Sequence, residues 1–176
     1  MNYKSLIRTV PDFPKAGIMF RDITPLLASG TGFRHVISTL AARYKSKIDK
    51  VVGIEARGFI FGAALAHEIG AGFVPVRKPG KLPAESIGHE YELEYGKNRI
   101  EVHVDALAKS ERVLLVDDLL ATGGTALAAA NLVDRSGAQI VECAFVIELL
   151  DLPGRKRLED RGLAVHALCG FTEAEN

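Results

Sequence analysis

Apolar side chains recur early in this chain at the spacing of an amphipathic helix. They follow the i, i+3, i+4, i+7 pattern that places them on one helix face: Phe33, Val36, Ile37, Leu40, Ala41 and Tyr44. A short β-branched run follows at residues 51–54. Because polar residues do not alternate within it, the run is typical of a strand buried on both faces.

Two strand–helix–strand units can be read from this pattern. The first unit begins with the strand at residues 51–54. The helix of each unit is followed by a glycine, Gly70 in the first and Gly137 in the second, and glycine commonly ends a helix. Alternation of this kind favours an α/β fold with a mainly parallel sheet and right-handed crossovers. The other predicted elements are two helices, at residues 59–69 and 125–136, and three strands, at residues 72–76, 113–116 and 140–149.

Residues 77–98 interrupt the alternation with many charged side chains, prolines and glycines. Long irregular connections inside a compact domain are often functional lids. Apolar and polar residues then alternate at residues 100–104, with Ile100, Val102 and Val104 as the apolar positions. This alternation predicts a half-exposed strand, so we expect the lid to be in part a β-ribbon.

Composition narrows the class of protein. The 176 residues suit a single domain, and 48% hydrophobic with 25% charged residues is typical of a globular protein. Lys and Arg total 22 and so do Asp and Glu, which leaves no net charge to draw the chain onto a nucleic acid or an anionic membrane. We therefore expect neither kind of partner.

Two features predict the compartment. No apolar run approaches the roughly 20 residues that span a bilayer, and the first 20 residues lack the apolar core of a secretory signal. Cys143 and Cys169 each lie in an apolar stretch, which predicts reduced thiols in the core, with a disulfide as the alternative. Both features favour the cytoplasm.

The most informative segment is VLLVDDLLATGGT at residues 113–125. An apolar strand leads to two adjacent acids, Asp117 and Asp118, which we expect at the carboxyl edge of the sheet. Residues 121–125 then form a tight turn that opens a helix. Backbone N–H groups at such a turn, helped by the helix dipole and by threonine hydroxyls, converge on an anion. The string predicts a phosphate-binding loop with two acids beside it.

The two common nucleotide-binding loops, the P-loop and the dinucleotide fingerprint, are excluded. The chain has no G-x-x-x-x-G-K-[ST] string, and the pair Gly70 and Gly72 lacks the third glycine of the dinucleotide fingerprint. Two carboxylates beside a phosphate site suit a sugar phosphate, because carboxylates accept hydrogen bonds from ribose hydroxyls.

The string resembles the phosphoribosyl-diphosphate-binding motif of the type I phosphoribosyltransferases. The resemblance extends to the adenine branch of that family through FPKAGIMFRDITP (13–25), GIEARGF (53–59), RKPGKLP (77–83) and YELEYG (91–96), and it covers nearly the whole chain. It implies the type I fold, in which helices flank a twisted, mainly parallel sheet. It also implies a single domain over residues 1–176, with a hood at about 1–30 and a flexible β-ribbon lid at about 77–98.

The resemblance implies a purine-salvage reaction in which adenine and phosphoribosyl diphosphate give AMP and diphosphate. Asp117 and Asp118 would bind the ribose hydroxyls, and the 5-phosphate would be wrapped by Ala121, Thr122, Gly123, Gly124 and Thr125. The diphosphate would face a set of cations: Arg57, Arg77, Lys78 and Lys81. Arginine suits such a ligand because it binds phosphate groups bidentately. A Mg²⁺ ion, held mainly by substrate oxygens, would complete the neutralisation.

For the base, the resemblance places Phe20 against the purine ring, with main-chain groups of Met19 and Arg21 at its edge. The alternative for Phe20 is a core aromatic side chain. Glu94 matches the family's acid or base for the adenine proton, with a solvated lid carboxylate as the alternative. Arg57 is counted with Glu94 among the candidate catalytic residues, and the family implies a homodimer.

Two other functions stay open at this point. The first is transfer to another purine, namely hypoxanthine, guanine or xanthine, on the same fold. The second is a regulator that binds phosphoribosyl diphosphate without reaction, although the chain has no basic face or added DNA-binding module.

Overall fold

The computed structural model describes residues 1–93 and 96–175, and at residues 92, 93, 96 and 97 it describes the backbone alone. A 3₁₀ turn at Lys4–Leu6 precedes the first strand. The helices and strands are β1 (Arg8–Val10), β2 (Phe20–Asp22), α1 (Thr24–Ala28), α2 (Gly30–Tyr44), β3 (Lys50–Ile54), α3 (Gly58–Ile69), β4 (Gly72–Val76), β5 (Ser86–Leu93), β6 (Gly96–His103), β7 (Arg112–Leu120), α4 (Gly124–Ser136), β8 (Gln139–Leu149), α5 (Gly154–Glu159) and β9 (Val165–Phe171).

Five parallel strands form the central sheet in the order β4-β3-β7-β8-β9. Alternate residues of β7 face opposite sides of the sheet, as the pleat requires. Leu114 and Val116 belong to the apolar core that includes residues of α2 and α3, whereas Val113 and Leu115 belong to the core that includes residues of α4 and α5. The predicted α/β class with a parallel sheet is confirmed.

The predicted helices and strands agree with the structure to within a few residues. Gly70 and Gly137 both adopt the left-handed conformation that ends α3 and α4. Strand β7 continues to Leu120, so Asp117 and Asp118 lie within the last part of the strand and not beyond it. Hydrogen bonding to β8 holds the chain extended through both acids, since Asp117 is still in register with Phe145.

The prediction for Val104 was wrong. The strand ends at His103, and Val104 follows it with 44% of its surface exposed, whereas Ile100 and Val102 are buried. Several elements were not predicted at all: β1, β2, α1, α5 and β9. The first three form the N-terminal hood, and the last two follow residue 150, where the residue pattern carried no signal.

The lid contains an antiparallel ribbon of β5 and β6, paired from Ser86 opposite His103 to Leu93 opposite Gly96. We call this pair of strands the ribbon. Its base is fixed to the rest of the fold, because Arg77 forms an antiparallel bridge with Glu101 and two side chains of β6 enter the core. The ribbon thus extends five residues past the predicted end of the lid at residue 98.

Both cysteines are free thiols. Burial raises the pKa of Cys143 to about 12 and that of Cys169 to about 11, so both remain protonated near neutral pH. None of the helices in residues 1–93 and 96–175 has the length and apolar character needed to cross a membrane.

A buried carboxylate ties α2 to the sheet. Glu142 of β8 accepts two hydrogen bonds from the Arg43 guanidinium, at 2.7 and 2.8 Å, and one from the Tyr44 hydroxyl at 2.6 Å. Only 8% of Glu142 is exposed. The bonds from Arg43, and next to them the bond from Tyr44, lower the pKa of Glu142 against the opposing effect of burial. The ionised form is therefore the one that stabilises the fold.

Replacing Glu142 by glutamine tests this bond in a pH-dependent way. Because the folded-state pKa lies below the ordinary value, the stabilisation is present above about pH 4.3 and is lost as pH falls through the folded-state value. We expect Glu142→Gln to lower the free energy of unfolding by about 1–2 kcal/mol at pH 7, a figure reduced because half of Arg43 is in solvent. Urea denaturation from pH 3.5 to 7 should show the deficit shrinking towards the acid end.

The matched control is Asp160→Asn. Asp160 pairs with Lys156 across one turn of α5, and both side chains are largely exposed, so no measurable change is expected. A deficit for Glu142→Gln that stays constant with pH would contradict the ionised bond.

Candidate active site

A cavity of about 380 Å³ opens at the carboxyl end of β7. Ligands commonly bind at this edge of open parallel sheets. Its walls include Arg57, Lys78, Asp117, Asp118 and Thr125 from the predicted set. A second cavity of about 220 Å³ adjoins it, lined by the same two acids and by residues 121–125. The structure thus brings the acids, part of the cation set and the whole predicted phosphate loop together.

The phosphate loop, residues 121–125, is the turn between β7 and α4. Gly123 has φ of +80°, a left-handed conformation that glycine adopts without strain, and α4 begins at the next residue. The first-turn N–H groups of this 13-residue helix have no acceptor within the helix. Together with the helix dipole, they make the turn an anion site.

Helix α5 packs against the phosphate loop, although the sequence analysis assigned no role to the residues of this helix. A Cβ on Gly123 would lie 3.1 Å from the Gly154 Cα atom, and a Cβ on Gly154 would lie 2.2 Å from the Ala121 carbonyl oxygen. The Arg157 guanidinium donates to the Thr122 carbonyl at 2.7 Å. The loop can take its shape only because Gly154 has no side chain.

The two acids differ in their surroundings. Asp118 is only 4% exposed and accepts a 2.5 Å hydrogen bond from Arg57 Nε. Asp117 accepts a 2.9 Å bond from the Asp118 N–H. Burial, and next the charge of Asp118, raise the pKa of Asp117 well above its usual range. Gly58, at the start of α3, lets this helix lie close to β7, since a Cβ on Gly58 would lie 2.9 Å from Asp117 Oδ1.

Arg57 joins the acids to the hood. Its guanidinium lies 5.5 Å from the centre of the Phe20 ring while its Nε donates to Asp118. The resemblance implied that Arg57 faces the diphosphate, and the structure places it on the wall of the cavity, between the hood and the acids.

The remaining cations lie around Glu55. This carboxylate accepts two bonds of 3.2 Å from the Arg77 guanidinium and one of 2.9 Å from the Lys78 N–H. Arg77 also donates to the Lys81 carbonyl at 3.1 Å. The pKa of Glu55 is lowered, first by the bonds from Arg77. Lys78 lines the cavity, whereas the lining does not include Arg77 or the exposed Lys81.

The residues predicted to bind the base lie on and beside β2. Phe20 is half-buried and meets the Phe13 ring edge-on, with 5.1 Å between centroids. Arg21 is 4% exposed, and its guanidinium donates to the carbonyls of Thr172 and Glu175 at the C-terminal end. Its side chain is thus committed to a structural contact, and its strand pairs with β1 along one edge. Met19 precedes β2 and is half-buried.

Glu94, predicted as the acid or base, lies outside the described residues. Sequence reasoning missed three polar side chains that line the cavity from the ribbon: Tyr91, Asn98 and Arg99. It also missed the role of Glu55 in holding Arg77. The role of Glu55 could have been predicted from its position: it lies between the end of β3 and Arg57, inside a segment already matched to the family.

A metal ion would find few protein ligands here. Within residues 1–93 and 96–175, no group of three or more His, Cys, Asp or Glu side chains could hold one. The acids that line the cavity offer the oxygen atoms that Mg²⁺ prefers, but Asp118 is engaged by Arg57. This donor set fits an ion that is bound mainly through oxygens of a ligand and of water.

Comparison with known proteins decides the family. The phosphoribosyl transferase domain matches residues 22–168, which include both cavities, the ribbon and all of the central sheet except the last three residues of β9. The chain belongs to the phosphoribosyltransferase family. Its fold is the type I phosphoribosyltransferase fold, with the five-stranded parallel sheet between helices.

Relatives of this phosphoribosyltransferase match it over nearly its whole length. The adenine phosphoribosyltransferase of Nitrosospira multiformis is 63% identical over 97% of this chain and 98% of its own. The crystal structure of adenine phosphoribosyltransferase from Thermoanaerobacter pseudethanolicus is 50% identical, with a TM-score of 0.92 over 96% and 98% of the two chains. The Saccharomyces cerevisiae enzyme, solved with an imino-altritol bisphosphate and adenine, is 40% identical with a TM-score of 0.89 over 94% and 96%.

Adding one methyl group at Gly154 should disable the phosphate loop. Because the new Cβ would meet the Ala121 carbonyl oxygen, the loop must shift, and its N–H groups would no longer converge on one point. We expect Gly154→Ala to weaken the binding of ribose 5-phosphate by about tenfold or more, measured by isothermal titration calorimetry.

Gly30→Ala provides the control, since a Cβ at Gly30 meets nothing within 4 Å and its backbone is not left-handed. Circular dichroism of both variants separates a shifted loop from an unfolded chain. Unchanged affinity in a folded Gly154→Ala variant would show that α5 does not shape the loop.

Proposed function

We propose that this phosphoribosyltransferase transfers ribose 5-phosphate from phosphoribosyl diphosphate to N9 of adenine, giving AMP and diphosphate. One observation carries the proposal. The phosphate loop, two carboxylates and the Arg57 guanidinium meet at one cavity, and Arg57 reaches from there to Phe20 in the hood. The relatives named adenine phosphoribosyltransferase support the choice of adenine as the base.

The ribose 5-phosphate half is bound by β7 and α4. The terminal phosphate accepts hydrogen bonds from the N–H groups and threonine hydroxyls of residues 121–125. Asp117 and Asp118 take the ribose hydroxyls. Because Asp118 is held by Arg57 and Asp117 by the Asp118 N–H, the two carboxylates are oriented before the sugar arrives, which lowers the entropic cost of binding.

The diphosphate half is bound at the other end of the cavity by the cations. Lys78 lines the cavity, while Arg77 is held by Glu55 and contacts the backbone at Lys81. When bound, Mg²⁺ neutralises diphosphate charge and so improves the leaving group. Its ligands would come mainly from the substrate.

The base is bound by the hood. Phe20 stacks on the purine, and main-chain groups of Met19 and Arg21 contact the edge that carries the amine. Since the Arg21 side chain is fixed at the C-terminal end, the backbone of β2 presents these groups at a fixed position. Glu94 manages the proton that adenine loses.

The reaction is a substitution at the anomeric carbon of ribose. As diphosphate leaves, positive charge builds up on the sugar, and the two neighbouring carboxylates stabilise it. Water would capture such a sugar, so the ribbon, which carries Tyr91 to the cavity wall, excludes solvent during the reaction. We also propose that residues 1–176 act as one domain and that the enzyme is a cytoplasmic homodimer.

A panel of purines tests the proposed function directly. Purified protein with phosphoribosyl diphosphate and Mg²⁺ should convert adenine to AMP, detected by liquid chromatography, and should leave hypoxanthine, guanine and xanthine unused. Nucleotide from another base alone would show a different specificity. Binding of phosphoribosyl diphosphate without any nucleotide product would favour a regulator.

The two acids should be needed for this reaction. Changing both Asp117 and Asp118 to asparagine removes the charge that faces the developing cation, so we expect kcat/KM to fall by about 100-fold or more. Asp105→Asn is the control, because Asp105 is exposed in the turn after β6. Full activity in the folded double variant would remove the acids from the mechanism.

Phe20 should affect adenine alone. Phe20→Leu removes aromatic stacking worth about 1–3 kcal/mol per base, so the KM for adenine should rise about tenfold. The KM for phosphoribosyl diphosphate should change little, because the phosphate loop is formed by other elements. An equal rise in both constants would assign Phe20 to the structure of the hood and not to the base.

A further inference from the structure

The ribbon is attached to the same helix that carries the phosphate loop. Three polar contacts join β5 to α4. The Arg135 guanidinium donates to the Gly88 carbonyl at 2.9 Å, and the Asn131 amide contacts His89 Nε2 at 2.9 Å. The third contact joins the hydroxyls of Thr125 and Tyr91 at 3.2 Å. Thr125 is itself the last residue of the phosphate loop.

The third contact differs from the other two because it uses a group that the substrate also needs. The Thr125 hydroxyl carries one proton and donates it to the Tyr91 hydroxyl in this structure. A phosphate in the loop would draw that proton, since hydrogen bonds to charged oxygens are the stronger ones. The Thr125 hydroxyl can then only accept a hydrogen bond from the Tyr91 hydroxyl. The bond between the two hydroxyls therefore reverses its direction.

We propose that Tyr91 is a positioning residue that couples occupation of the phosphate loop to attachment of the ribbon. The inference rests on the proposed function, because it takes the loop to hold the 5-phosphate of ribose. In the bound state Tyr91 donates to Thr125 and Thr125 donates to the phosphate. Hydrogen bonds in such a chain strengthen one another, so the bound phosphate holds the ribbon more firmly than the empty loop does.

The position of Tyr91 gives this coupling a purpose. Tyr91 lines the same cavity as the two acids, and Asn98 and Arg99 reach that cavity from β6. Holding β5 against α4 therefore keeps these three polar side chains at the place where diphosphate leaves. Coupling between two sites is reciprocal, so a loosened ribbon must also weaken the binding of the phosphate.

Hydrogen exchange with ribose 5-phosphate as the probe tests the coupling. In the wild-type protein the ligand should slow amide exchange in peptides that cover residues 121–125 and also in those that cover residues 86–91. In Tyr91→Phe the protection of the loop should remain and that of the ribbon should be lost. Ribose 5-phosphate should bind about three- to tenfold more weakly, as expected for one hydroxyl hydrogen bond.

Tyr3→Phe is the matched control. Tyr3 also forms a hydroxyl pair with a threonine, Thr39, at 3.1 Å, but it lies at the start of the chain and lines neither cavity of the active site. This variant should keep both the affinity and the protection of the ribbon.

Arg135→Ala tests reciprocity from the far end of the helix. It removes the bond to Gly88 and should weaken ribose 5-phosphate binding in the wild-type background. In the Tyr91→Phe background it should have no further effect, because the connection is already broken. A merely structural role for Tyr91 would give additive losses.

The outcomes separate this inference from the proposed function. Protection of the loop without protection of the ribbon, or equal ribbon protection in Tyr91→Phe, would overturn the inference and leave the function standing. Absence of loop protection in the wild type would overturn both.

Discussion

The ion pair between Arg57 and Asp118 is the contact on which the rest of the active site depends. Asp118 is almost fully buried at the end of β7, and a buried carboxylate is costly unless it is paired. Its partner comes from the start of α3, and the same guanidinium lies over Phe20 in the hood. One side chain therefore joins the sheet, a helix and the hood. Because the pair connects all three, the acids and Phe20 have a defined separation before any ligand binds.

Close packing of glycines achieves a similar result around the phosphate loop. Gly58 lets α3 approach Asp117, and Gly123 and Gly154 let α5 approach the turn before α4. At these points a single methyl group would collide with backbone atoms, which cannot move as a flexible side chain can. The loop is thus shaped from outside as well as by its own sequence, and residues far along the chain determine its geometry.

How much of this could be predicted depended on the range of the interactions. The parallel sheet followed from local periodicity, and the phosphate loop followed from a string of 13 residues that contains both its acids and its glycines. Contacts between distant residues left no local signal. Arg157 donates to Thr122 across 35 positions and Glu142 binds Arg43 across 99, and neither pairing has a spacing that a pattern could reveal. Helix α5 was missed because its six residues are too few to show a helical period. Strand β9 has seven residues, but His166 and Gly170 interrupt its apolar positions.

The distribution of charge explains how a chain of zero net charge can bind a highly anionic substrate. Three arginines at or beside the cavity are held by carboxylates of the protein: Arg57 by Asp118, Arg77 by Glu55, and Arg99 by Glu101. These pairs orient the guanidinium groups without a field that would attract polyanions of other kinds. Arginine has five N–H donors, so a carboxylate that binds one or two of them leaves others for phosphate oxygens. Each carboxylate therefore cancels the net charge of its arginine but leaves oriented N–H donors for the ligand.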